Sequence, residues 1–180
     1  TKMMVDYGAD VMYLKDAGGL LDIDNVRRVF NIMKANSGDL LTEIHSHCTT
    51  GLADPVYVEA MKLGCDGYHV ALPPVAEGSA QPSVFNVTEN AKALGFEVNL
   101  DLERLAHVSK KLYCMAREAG LPTFGPTRYK VAQYRHRIPG GVISNFTHQL
   151  KELHLENRVD EVIEEVIKVC SETGEPHMIT

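Results

Sequence analysis

The spacing of apolar residues divides the chain into a first half that alternates strand and helix patterns and a second half that is helical. Residues 1–9 resemble the tail of an amphipathic helix, with Met4, Val5 and Gly8 before a short β-leaning run, Asp10-Val11-Met12-Tyr13-Leu14. That run passes into Lys15-Asp16-Ala17-Gly18-Gly19-Leu20-Leu21, where the glycine pair ends it. Asp22-Ile23-Asp24 then offers carboxylate caps, and Val26, Val29, Phe30 and Met33 recur at helical spacing until Ser37-Gly38. Residues 40–44 predict a second strand. Val56, Val58, Ala60, Met61 and Leu63 predict a second helix closing on Gly64, and residues 66–72 a third strand. The prolines and glycine of residues 73–83 exclude regular structure there. Strands separated by helices in this rhythm predict a parallel sheet.

Past residue 84 the pattern predicts helices over 84–94, 101–119, 143–155 and 158–172, interrupted by turn-forming stretches at 120–127 and 134–141. Leu102, Leu105, Ala106, Val108, Leu112 and Met115 form the apolar side of the longest helix. In the last helix Val159, Val162, Ile163, Val166, Ile167 and Cys170 form a stripe expected to pack as core. The division falls into residues 1–98, a partial β/α barrel, and residues 99–180, a helical region incomplete at its C-terminal end. Three β-α units cannot close an eight-stranded barrel, which takes ~250 residues. The expectation is therefore the C-terminal part of a (β/α)8 TIM barrel in an α/β fragment, aggregation-prone by itself because its edge strands are open. The alternative is a small open α/β domain with a helical tail.

Composition narrows the function. At 44% hydrophobic and 23% charged residues, the chain has apolar material for a real core. A net charge of -6 gives no sign of a nucleic-acid or anionic-membrane partner. Cys48, Cys65, Cys114 and Cys170 lack C-x-x-C spacing and read as reduced cytosolic thiols. No phosphate-cradling loop, dinucleotide fingerprint or nucleophile elbow is present.

The candidate chemistry centres on His45-Ser46-His47. Strand side chains alternate, so the two imidazoles point the same way, ~6–7 Å apart, and can share a divalent ion; the plainer reading is one hydrogen-bonded core histidine and one loop histidine. Lys15 stands at the C-terminal end of the preceding strand, the rim where barrel active sites are built. It could be a catalytic amine, a salt-bridge partner, or a buried neutral amine carrying carbon dioxide as a metal-binding carbamate. Glu43, two residues before His45, could orient an imidazole or pair with a neighbouring strand. Asp66 could face the site or cap a turn. Gln81, on a rim loop, could touch ligand or be a plain loop residue. His136 with Arg135 and Arg137 could meet a carboxylate or be a solvated loop. Nothing supports His69, His107, His148, His154 or His177 as ligands.

Several motifs occur together in order. Lys15-Asp16-Ala17-Gly18-Gly19-Leu20-Leu21, His45-Ser46-His47-Cys48-Thr49-Thr50-Gly51, Gly64-Cys65-Asp66, Gly78-Ser79-Ala80-Gln81-Pro82-Ser83 and residues 134–145 resemble the carboxyltransferase domains of biotin-dependent enzymes. Those are pyruvate carboxylase, the oxaloacetate decarboxylase alpha subunit and the 5S subunit of transcarboxylase. The resemblance implies a barrel followed by a helical conserved carboxylase region, and a metal held by an aspartate, a carbamylated lysine and two histidines. Lys15 would be that lysine and His45 and His47 the imidazole ligands; the aspartate would lie upstream of Thr1. Thr180 falls where the family has a proton-shuttling threonine, and Gln81 would contact the cofactor.

The implied activity is carboxyl transfer between biotin and pyruvate or oxaloacetate, with Zn, Mn or Co as the ion. The implied partners are a biotin carboxyl carrier domain, a small 2-oxo acid, further copies of the protein in a cytoplasmic homo-oligomer, and membrane subunits if the enzyme is a decarboxylase pump. The chain departs from the family pattern at Ala17-Gly18 (commonly Met-Ala), at His69 (commonly an acid) and at Ser79-Ala80 (commonly Thr-Ser). An aldolase or acyl-CoA lyase of the same barrel group, or a non-catalytic assembly piece, are the alternatives.

Overall fold

A computed structural model of the chain describes residues 1–176. A short helix α1 (Lys2–Asp6) leads into strand β1 (Val11–Asp16), helix α2 (Ile23–Ser37), strand β2 (Leu41–Ser46), helix α3 (Ala53–Lys62) and a two-residue strand β3 (Gly67–Tyr68). The strands pair in parallel in the order β1-β2-β3, with Lys15 opposite His45 and Glu43 opposite Gly67. The expected parallel α/β arrangement is thus present.

Alternation on the strands separates two faces. Met12, Thr42, Ile44 and Ser46 are buried, whereas Val11, Tyr13 and Lys15 are exposed. The buried face carries the core: Ile44 packs with Val26, Val56, Tyr57, Ala60 and Met61, and Met12 with Phe30 and Met33. Those helix positions recur at the three- and four-residue spacing that sets one helix face toward the sheet. Asp22 starts α2 by accepting the Asn25 N–H at 2.7 Å. Burying each such large apolar side chain contributes about 1.5–3 kcal/mol, which favours this register over a one-residue slip.

The third strand is shorter than the pattern predicts. Beyond Tyr68 the His69 carbonyl accepts from the Tyr57 hydroxyl at 2.7 Å, and the chain regains sheet pairing only in a single bridge between Ala71 and Ser83. The second strand is longer, reaching Ser46, so that His45 lies inside it.

The second half supplies α4 (Val84–Ala93), α5 (Leu102–Glu118), α6 (Gln133–His136), α7 (Gly140–Glu152) and α8 (Val159–Glu172). Helix α7 begins at Gly140, three residues earlier than expected, because Pro139 presets the backbone at its start (φ -56°). The stripe on α8 is a correction: its residues are half-buried, not core, and no α8 residue is fully buried. Its cover includes the four-residue α6, too short to enclose a fourteen-residue helix. No helix among the described residues is long and apolar enough to cross a membrane.

Candidate metal centre

The exposed face of the sheet gathers the polar chemistry. Tyr13 and Lys15 on β1, Glu43 and His45 on β2, and His69 just past β3 share it, and His47 continues β2 in extended backbone (φ -84°, ψ 149°). The two imidazoles therefore do point the same way. They come closer than simple strand spacing predicts: His45 Nε2 and His47 Nε2 stand 3.0 Å apart.

Which ring nitrogens carry hydrogen follows from their partners. His47 Nδ1 lies 2.6 Å from the Ser79 carbonyl, an acceptor only, so Nδ1 is protonated and Nε2 presents a lone pair. His69 Nε2 lies 2.9 Å from a Glu43 carboxylate oxygen and donates to it, leaving His69 Nδ1 to accept from His45 Nδ1 at 3.1 Å. His45 Nε2 is then also bare. Burial first, and then the neighbouring His47, His69 and Lys15, push the His45 pKa down to about 4, so the ring is neutral at physiological pH. The Gln81 amide nitrogen stands 3.1 Å from each Nε2 and donates one hydrogen to each lone pair.

This donor set fits a divalent cation. Metal–imidazole bonds are ~2.0–2.1 Å, and two nitrogens sharing one ion therefore stand roughly 3.0–3.4 Å apart. Rotation of the Gln81 amide would turn its oxygen, a further ligand atom, toward the same point.

The backbone around the histidines is held by groups that the motifs encode. Asp16 accepts from the Leu20 and Leu21 amides at 2.9 and 3.0 Å and from the Ser46 hydroxyl at 2.7 Å, tying the glycine turn to β2. Gly19 sits in the left-handed region (φ 64°), and a Cβ there would collide with the His47 carbonyl. The Ala80 carbonyl accepts from Cys48 N–H at 2.8 Å, which fastens the Gln81 loop beside His47. Gly140 closes the arrangement from the helical half: a Cβ on it would lie 2.8 Å from Ser79 Cβ.

Lys15 is placed beside His45 by register, but its side chain is exposed, so the burial expected to favour a neutral amine is absent here. Glu43 reaches His69 rather than His45 or His47. Asp66 turns away, accepting from Thr42 N–H and Oγ1 at 2.8 Å each and from Lys34 at 3.1 Å, which is the capping alternative. Arg135 and Arg137 form exposed ion pairs with Glu164 and Glu175 of the same chain. Thr180 and His177 lie outside the described residues. Sequence reasoning passed over His69, because only the third strand's position brings it to His45; three unsupported histidines, His107, His148 and His154, lie away from this cluster on helical segments or their ends.

Four similarities bear on this geometry. Residues 134–180 match the family model of the conserved carboxylase domain. The chain is 29% identical to a pyruvate carboxylase subunit from Methanocaldococcus jannaschii, over 99% of this chain and 32% of that protein. It is likewise 29% identical to the methylmalonyl-CoA carboxyltransferase 5S subunit of Propionibacterium freudenreichii, over 98% of this chain and 35% of that protein. The carboxyl transferase domain of Rhizobium etli pyruvate carboxylase, solved with pyruvate and biocytin, superposes with a TM-score of 0.87 at 21% identity, covering 99% of this chain and 30% of that one. The chain thus spans about a third of the length of the curated relatives.

Proposed function

We propose, for a chain that is a carboxyltransferase-type relative of the biotin-dependent carboxylases along nearly its whole length, that it carries the metal-holding part of a site transferring a carboxyl group between biotin and a 2-oxo acid. The reading rests on one observation, the two imidazole lone pairs brought to 3.0 Å with Gln81 donating to both. His45 and His47 are the nitrogen ligands. Lys15, their neighbour on the open face, would be the third donor as a carbamate: its ammonium gives a proton to solvent, the amine forms a C–N bond to carbon dioxide with loss of a second proton, and the resulting carboxylate would supply the anionic ligand. A Zn, Mn or Co ion held there supplies Lewis acidity that polarises the 2-oxo group of pyruvate or oxaloacetate as a carboxyl group arrives or departs.

The names of the relative and of the solved structure support pyruvate as the three-carbon acid and biotin as the carrier; on this reading a carrier domain docking at the rim delivers the biotin. Gln81 lies at the mouth of the same point and contacts the arriving cofactor or substrate. Thr180 is assigned proton transfer between biotin and substrate by motif order alone. The protein on this reading works in the cytoplasm as a homo-oligomer.

The test measures bound metal by elemental mass spectrometry alongside biotin-dependent oxaloacetate decarboxylation in the full chain. His47→Ala is expected to lose the ion and at least about 10²-fold in rate, the effect of removing several kcal/mol of charge stabilisation. Wild-type turnover by thoroughly chelated, metal-free protein would end the proposal.

A further inference from the structure

Glu43, His69 and His45 form a directed chain of hydrogen bonds, 2.9 Å and then 3.1 Å long, that ends on the ring expected to hold the ion. We propose that Glu43 and His69 are positioning residues that hold His45 in the Nδ1–H form, so that its Nε2 lone pair is permanently turned toward His47. The proposal rests on the reading of His45 and His47 as ligands and adds two residues to it.

The chain is built rather than incidental. His69 is pinned at its backbone from both sides: its N–H donates to the Ile44 carbonyl at 3.0 Å, and its carbonyl accepts from the Tyr57 hydroxyl at 2.7 Å. That hydroxyl in turn accepts from Ser46 N–H at 3.1 Å, one residue from each ligand histidine. The His69 ring stacks on Tyr13 with centroids 5.1 Å apart and planes 21° from parallel, which fixes its rotation. Glu43 can reach the ring only because residue 67 is glycine: a Cβ there would stand 2.8 Å from Glu43 Cγ. The arrangement thus draws on β1 for Tyr13, β2 for Glu43 and the position just past β3 for His69. An isolated neutral imidazole exchanges its proton between nitrogens; here the acceptor-only carboxylate at the far end removes that freedom.

Side-chain 15N spectra of the metal-free full chain, with His45 assigned by loss of its signals in His45→Gln, report the tautomer directly. Titration with Co2+, followed by its visible absorption, reports the ligand field and the affinity. Wild type is expected to show His45 as Nδ1–H and to bind Co2+. His69→Phe keeps a ring against Tyr13 but removes both hydrogen bonds; it is expected to release His45 into mixed tautomers and weaken Co2+ binding ~10–100-fold. Gly67→Ala, which displaces Glu43 without touching any imidazole, is expected to move both readouts the same way to a smaller extent, and serves if His69→Phe does not fold. An unchanged His45 tautomer and unchanged Co2+ affinity in the variant overturn the relay. Absence of Co2+ binding in wild type with the Nδ1–H tautomer intact would overturn the metal reading instead, leaving the hydrogen-bond chain standing.

Discussion

The two histidines proposed as ligands depend on neighbours that carry no metal chemistry themselves. Gly19 has a left-handed backbone and no room for a Cβ against the His47 carbonyl, so Gly19→Ala must move that carbonyl or the glycine turn. The expected result is weaker metal binding with His45 and His47 both present, measured as a Co2+ dissociation constant at least several-fold above wild type. Tyr57 is 1% exposed and its hydroxyl serves Ser46 N–H and the His69 carbonyl together. Tyr57→Phe leaves those buried groups without their partner and is expected to cost about 1–3 kcal/mol in urea unfolding. At this scale the H-x-H spacing was legible from strand alternation alone. The supporting glycines were visible as punctuation, but the atoms they make room for were not.

Among the elements, β2 holds the molecule's division of labour: Thr42, Ile44 and Ser46 face the helices, and Glu43 and His45 face the open side. Its N-terminal end is locked to β3 by Asp66, whose carboxyl is held below the usual carboxylate range by the Thr42 backbone N–H first, then the Thr42 hydroxyl and Lys34. A carboxylate whose folded pKa lies under its unfolded value of ~3.9 stabilises fully above that value, and the contribution is lost as pH falls through the folded value. Asp66→Asn should therefore lower stability at pH 7, and its gap to wild type should narrow as chemical denaturation is repeated below pH ~4. A gap independent of pH would show that the charge on Asp66 contributes nothing. The α8 stripe teaches the converse lesson. Its period predicted a helix and an apolar side correctly, yet periodicity is a property of one element and says nothing about how much partner surface covers it.

Across the whole molecule, the strand-rich and helical halves meet where the Gly140 end of α7 approaches Ser79, the residue whose carbonyl sets the His47 tautomer. Gly140→Val should lever that loop away and lower metal affinity from a position in the helical half that contributes no ligand atom, with helical content by circular dichroism unchanged. Local sequence determined the alternation of strands and helices, the helix cap at Asp22, and the pairing of His45 with His47 on one face, because these follow from backbone period and from hydrogen bonds made within a few residues. Only the tertiary structure decided that His69 joins them, that Glu43 acts on His69 rather than on its own strand neighbour, that Lys15 is exposed, and that β3 stops after two residues. Each of those depends on strand order and on contacts between residues two dozen or more positions apart, distances that no local pattern encodes.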